Sequence, residues 1–144
     1  MKIEEIYNLW EKDAIIDRTE LAEESLKIPQ LHHKYFKIFS HERLIQRTLE
    51  NDLKEMLKIK HEYYQGILSE EELKEKEWDP VRLKILRADL PLYIDSDKDI
   101  QAIKTKIQFQ QEKIDFLESV IKNLQNRGFQ IKSAIEWIKF QMGA

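Results

Sequence analysis

The sequence contains no cysteine, which excludes disulfides, thiol catalysis and cysteine-ligated zinc. Glycine and proline occur only three times each. So few turn-formers argue against collagen-like, linker-rich or turn-dense all-β chains and favour long uninterrupted elements. No run approaches the ~18 consecutive apolar residues of a membrane helix. The opening Met1-Lys2-Ile3-Glu4-Glu5-Ile6 is charged and lacks the apolar stretch of a signal peptide. The expectation is a soluble, cytoplasmic protein without a membrane partner. Neither GxxxxGK[ST] nor GxGxxG is present, so the usual glycine-rich phosphate cradles are missing.

What is present suits one helical domain. The 144 residues are 42% hydrophobic, enough for a core, and 35% charged, above the usual quarter. The net charge of −3 hides an alternation. Residues 1–30 sum to −4, 31–64 to +2, 65–99 to −4 and 100–144 to +3. A mildly anionic chain therefore carries local basic surfaces, which are either ordinary solvated helix faces or partner sites.

Apolar periodicity predicts a first amphipathic helix over about 3–12, with Ile3, Ile6, Tyr7, Leu9 and Trp10 near one face. Asp17 or Thr19 is a candidate cap for the next helix, which Pro29 either kinks or restarts. Helical spacing then continues from about 30 to 64, and Gly66 is a plausible stop. Trp78-Asp79-Pro80 reads as a turn. Residues 81–90 fit helix or strand, and 88–99, with Pro91, reads as extended or loop-like.

The last long element is the clearest. In heptads its a positions are Ile100, Ile107, Ile114 and Ile121, and its d positions are Ile103, Gln110, Leu117 and Leu124. A seam this narrow suits helix-on-helix packing, and a polar d residue can fix register. From 100 to 125 the helix would span roughly 38 Å, so several copies are expected to share the seam. Asn126-Arg127-Gly128-Phe129 reads as its end, followed by a final amphipathic helix with Ile131, Ala134, Ile135, Ile138 and Met142 on one side.

Little catalytic chemistry is legible. Asp95-Ser96-Asp97-Lys98-Asp99 resembles the start of an EF-hand, but Ile100 and Lys106 occupy the positions that need glycine and glutamate. Asp97 or Asp99 capping the long helix is the better reading. His32, His33, His41 and His61 include no i,i+4 pair, so no metal site is expected. No nucleophile, base and orienting group come together. The expectation is a non-enzyme without cofactors.

One cluster remains: Lys54, then Leu57-Lys58-Ile59-Lys60-His61-Glu62-Tyr63-Tyr64-Gln65-Gly66. Lys54 and Lys58 stack one turn apart, as do Lys60 and Tyr64. Lysines beside tyrosines are what single-strand sites use, with ammonium groups on phosphates and rings on bases. A basic helix end flanked by core tyrosines would look the same.

Several segments together resemble the UvsY family of recombination mediators of large tailed bacteriophages. They are Lys12-Asp13-Ala14-Ile15-Ile16-Asp17, Thr19-Glu20-Leu21, Leu57-Lys58-Ile59-Lys60 with Tyr63-Tyr64 and Gly66, Leu86-Arg87-Ala88-Asp89, and Arg127-Gly128-Phe129-Gln130-Ile131-Lys132. The resemblance covers nearly the whole chain. It implies a mainly α fold forming a ring-like homo-oligomer of about six or seven subunits. Such a protein would bind single-stranded DNA, contact the phage recombinase and the single-strand-binding protein, and act in the host cytoplasm. The family's basic motif falls on Lys58 and Lys60, the latter at a position where arginine is also found. Lys54, His61 and Tyr64 are secondary candidates. The family's C-terminal part drives assembly, which assigns Ile100, Ile103, Ile107, Ile114, Leu117, Ile121 and Leu124 to oligomerisation. On this reading residues 1–90 form a nucleic-acid-binding region and 91–144 an oligomerisation region. The alternative is a coiled-coil scaffold or adaptor that does not bind nucleic acid.

Overall fold

The computed structural model describes residues 1–143. Its elements are α1 (Ile3–Asp13), α2 (Leu21–Tyr64), α3 (Glu70–Lys76), α4 (Leu90–Asp95) and α5 (Lys98–Gln141). No strand occurs among the described residues. Helices α2 and α5 have 44 residues each, or roughly 66 Å of axis apiece.

Local chemistry sets the helix ends. The Glu5 carboxylate accepts the Lys2 amide at 2.8 Å, satisfying a donor that the first turn of α1 leaves free. Neither candidate cap reaches α2. Asp17 instead closes a turn ahead of it, accepting the Thr19 amide at 2.9 Å and the Thr19 hydroxyl at 2.7 Å. Pro29 lies inside α2. The carbonyl it deprives of a partner belongs to exposed Ser25, where water can take over. The helix stops at Gly66, whose φ of +74° is the left-handed conformation glycine adopts cheaply. The Gly66 and Ile67 amides donate back to Tyr63 and Glu62 and close the end.

Residues 81–89 form neither helix nor strand. Residues 90–95, expected to be extended, form α4. Pro91 sits in its first turn, where a missing N–H costs nothing. Asp97 caps α5, as anticipated, accepting the Asp99 and Ile100 amides at 2.9 and 3.1 Å.

The expected break at 126–129 is absent, because α5 runs through Gly128 to Gln141. The buried stripe Leu117, Ile121, Leu124, Arg127, Ile131 keeps helical spacing across the glycine. That burial outweighs the ~1 kcal/mol helix penalty of one glycine. Arg127, read as a helix end, is buried. Its Nη2 donates to the Asp13 carbonyl at 2.8 Å, and its guanidinium lies 5.4 Å from the Trp10 ring centroid.

The chain divides into two compact units, Met1–Leu44 with Gln110–Ala144, and Ile45–Phe109. These compact units do not coincide with the expected functional regions 1–90 and 91–144. Packing of the first part of α2 against the second part of α5 joins the two chain ends in one unit. Its core is Ile6, Tyr35, Leu117, Val120, Ile121 and Leu124, flanked by Trp10, Leu31 and Phe39 among others. Gln110, the polar exception in the seam, donates to the Glu42 carbonyl at 2.8 Å and to its carboxylate at 2.6 Å. It fixes the register of α5 on α2 within the chain. The second unit is centred on Leu90, Ile94 and Ile100, with Leu53, Met56, Leu57, Tyr64 and Ile85 packed around them.

The heptad seam is covered by the chain's own helices. Ile100, Ile114, Leu117, Ile121 and Leu124 are buried in the single chain, and Ile103 and Ile107 are half-buried. These seven positions hold the subunit together. Apolar surface remains open on α5 at Phe109, Phe129, Trp137 and Phe140, and just past it at Met142.

Candidate nucleic-acid interface

The end of α2 in the second unit presents two faces of opposite character. With about 100° per residue, Arg47, Asn51, Lys54, Lys58 and His61 fall within a sector of about 80°. All five are exposed. None of the ion pairs among the described residues involves Arg47, Lys54 or Lys58. Glu50, Glu55 and Glu62 flank this face and narrow it to a strip. Arg47 and Lys54 lie roughly two helical turns apart, with Asn51 between them, and Lys54 and Lys58 roughly one, a row of charges along which a polyanionic strand can run.

Lys60 is not part of that row. Two residues from Lys58, it points about 200° away. Its side chain is 4% exposed. Nζ lies 3.0 Å from Asp97 Oδ2 and 2.8 Å from Asp99 Oδ2. The ammonium sits 3.8 Å from the Trp78 ring centroid and 5.2 Å from that of Tyr63, the distances of a cation–π contact. The expected phosphate contact at Lys60 is therefore corrected. Its charge is consumed inside the unit, where it ties the end of α2 to the start of α5 and to the loop at Trp78.

Tyr64 belongs to the same cluster. Its hydroxyl donates to Asp97 Oδ2 at 2.6 Å. Its ring packs against Tyr63 at 4.9 Å and Tyr93 at 5.8 Å. Burial, with the Asp97 hydrogen bond second, raises the Tyr64 phenol well above its ordinary value. Burial also pushes the Asp97 carboxyl upward, but hydrogen bonds from Tyr64, the Ile100 amide and Lys60, together with the Lys60 charge, bring it below the usual carboxylate range. Asp97 thus joins three functions: helix cap, lysine counter-ion and tyrosine acceptor.

Of the residues singled out in the sequence, Lys54, Lys58 and His61 share the exposed face, while the buried Lys60 and the half-buried Tyr64 form a separate cluster. Arg47 was missed. Its spacings of seven from Lys54 and eleven from Lys58 mark the same helix face. Arg82 and Lys84, also exposed, were missed because they lie on an irregular segment without helical period. Among the described residues, no group of three or more His, Asp or Glu side chains could hold a metal ion. Among the described residues, no helix is long and apolar enough to cross a membrane.

Known proteins are similar to this chain in sequence and fold. The curated recombination protein UvsY of Enterobacteria phage T4 is 24% identical over 143 residues, which cover 99% of either chain. Crystal structures of the bacteriophage T4 recombination mediator protein UvsY superimpose on this fold. One, in lattice type IV, gives a TM-score of 0.85 at 24% identity, over 97% of this chain and 99% of that one. Another, in lattice type II, gives 0.85 at 23%, over 99% and 98%. The family model described as "Recombination, repair and ssDNA binding protein UvsY" matches residues 9–144. With all but the first eight residues inside that match, the chain belongs to the UvsY family.

Proposed function

We propose that the chain is a non-enzymatic recombination mediator. It binds single-stranded DNA along the cationic face of α2 and helps a recombinase load onto strands coated by single-strand-binding protein in the host cytoplasm. The observation that carries this reading is the row of Arg47, Lys54 and Lys58, exposed and without ion-pair partners among the described residues, in a chain whose net charge is −3. An anionic protein holding three aligned, uncompensated cations is suited to a polyanion. Family membership supports the same reading.

Three phosphate contacts per subunit give weak binding, so the site gains force from assembly. Phe129, Trp137, Phe140 and Met142 are each more than half exposed at the end of α5, and Trp137 and Phe140 stack at 5.6 Å. An apolar helix end of this kind is suited to burial against copies of itself. A closed ring of about six or seven subunits would then align their cationic faces along one strand, and linked sites raise avidity without new contacts.

Anisotropy titration of a fluorescent single-stranded oligonucleotide at a series of salt concentrations tests the reading. Each engaged subunit should contribute a slope of about −2 in log affinity against log salt, from three phosphates at roughly 0.7 each. A slope near zero, or no binding in dilute buffer while the protein still assembles, would refute it and favour the scaffold alternative.

A further inference from the structure

The cationic face of α2 does not use a second feature of the same unit. A cavity of about 410 Å³ opens between the turn at Tyr64–Gly66 and residues 81–85. This volume lies within the roughly 300–1,000 Å³ of small-molecule sites, near the lower end, where one nucleotide fits better than a longer segment. Tyr64, Leu83 and Ile85 give the wall aromatic and aliphatic surface, and Arg82 and Lys84 give it two cations. No acidic side chain lines it. Arg82 and Lys84 are exposed and take part in none of the ion pairs among the described residues.

The cavity is built rather than incidental. Residues 81–85 form no helix or strand, and they alternate Val81, Leu83, Ile85 with Arg82, Lys84. Ile85 packs against the Leu90–Ile94–Ile100 core and anchors the segment at one end. At the other end Trp78 lies against Lys60 and Tyr63, and the Tyr63 hydroxyl donates to the Asp79 carbonyl. The opposite wall turns away at Gly66, whose positive φ lets the chain leave the helix without a side chain.

We propose that this cavity seats one nucleotide of the bound strand, its base against Tyr64 and Leu83 and its phosphate on Arg82 and Lys84. The proposal rests on the single-strand-binding reading and extends it. Beyond the row on α2, which only tracks the backbone, each subunit would hold one unstacked base on an aromatic and aliphatic wall, the sequence-tolerant mode of single-strand sites. His61 precedes Tyr64 by one helical turn, so a strand leaving the row at Lys58 and His61 meets the cavity next.

The test is photocrosslinking of the full-length protein to a single-stranded oligodeoxynucleotide carrying 5-iododeoxyuridine, combined with titrations of an Arg82→Ala/Lys84→Ala variant. Both substituted positions are exposed, and circular dichroism checks that the fold persists. The expected result is a crosslink at Tyr64 or within residues 81–85, and a roughly five- to tenfold loss of affinity in the variant. If the oligonucleotide binds and crosslinks only between Arg47 and His61, and the variant binds as tightly as its parent, the cavity proposal is overturned and the cationic row stands. If neither protein binds the oligonucleotide, the single-strand reading falls and the cavity proposal falls with it.

Discussion

Replacing Lys60 separates a structural lysine from a DNA-binding one. In the structure Lys60 is the counter-ion of a buried Asp97 and packs on Trp78. Removing one member of a buried ion pair leaves an uncompensated charge and typically costs about 3–5 kcal/mol. Asp97 would keep three donors: the Tyr64 hydroxyl and the Asp99 and Ile100 amides. Asp99, the second acid, is half exposed and gains water. Both effects place Lys60→Ala near the lower end, at about 3 kcal/mol. At about 3 °C per kcal/mol for a chain of this size, the melting temperature should fall by roughly 10 °C at fixed protein concentration. Lys60→Met/Asp97→Asn removes both charges, keeps an aliphatic stem on Trp78 and retains an asparagine cap, so it should recover most of the loss. Circular dichroism melts read stability, and oligonucleotide titrations well below the transition read DNA affinity. If Lys60→Ala melted like its parent yet bound single strands tenfold more weakly, Lys60 would be a phosphate contact and the argument from burial would be wrong.

Three further outcomes follow from other parts of the molecule. Asp13 and Asp97 are both held below their ordinary value of 3.8. Burial works against each, and hydrogen bonds and nearby cations, from Lys34 and Tyr35 at Asp13 and from Tyr64 and Lys60 at Asp97, outweigh it. The stability they contribute is fully present above about pH 5 and is lost as pH falls through the ordinary value and then their lower folded values, so an acid titration should show a flat plateau above about pH 5 and a decline only below it. Gly128 lies inside α5 without a positive φ, and a Cβ there meets nothing within 4 Å, so Gly128→Ala should stabilise the protein by about 1 kcal/mol in denaturant titrations. A loss would mean that the chain bends there. Trp137→Ser/Phe140→Ser should lower the sedimentation mass without lowering helix content, because both side chains are more than half exposed; an unchanged particle would place assembly elsewhere.

Periodicity made the long helices legible. The spacing from Ile100 to Leu124 recurs in the buried stripe of α5, and Gly66 ends α2 where its conformational freedom suggests. What one sequence window could not reveal was the partner of each face. The Ile/Leu seam looked too long for one chain to cover, but α2 has the same length as α5 and supplies much of the missing surface. Gly128 looked like a stop because the burial of Arg127 and Ile131 on its flanks depends on contacts distant in sequence, such as that of Arg127 with Asp13. For the site, Lys54 and Lys58 were readable from their four-residue spacing. The two-residue step from Lys58 to Lys60 already placed those side chains on nearly opposite sides of a helix. That Lys60 faces inward depends on Asp97, 37 positions further along the chain.

The central claim is that a row of unpaired cations on one face of α2 grips the strand's phosphates. Its most direct test is the salt dependence of single-strand affinity for Lys54→Ala/Lys58→Ala beside the parent protein. Losing two phosphate contacts per subunit should reduce the magnitude of the log–log slope by about 1.4 for each subunit engaged, with the melting temperature and assembly unchanged. An unaltered slope and affinity in a folded, assembled variant would contradict the account.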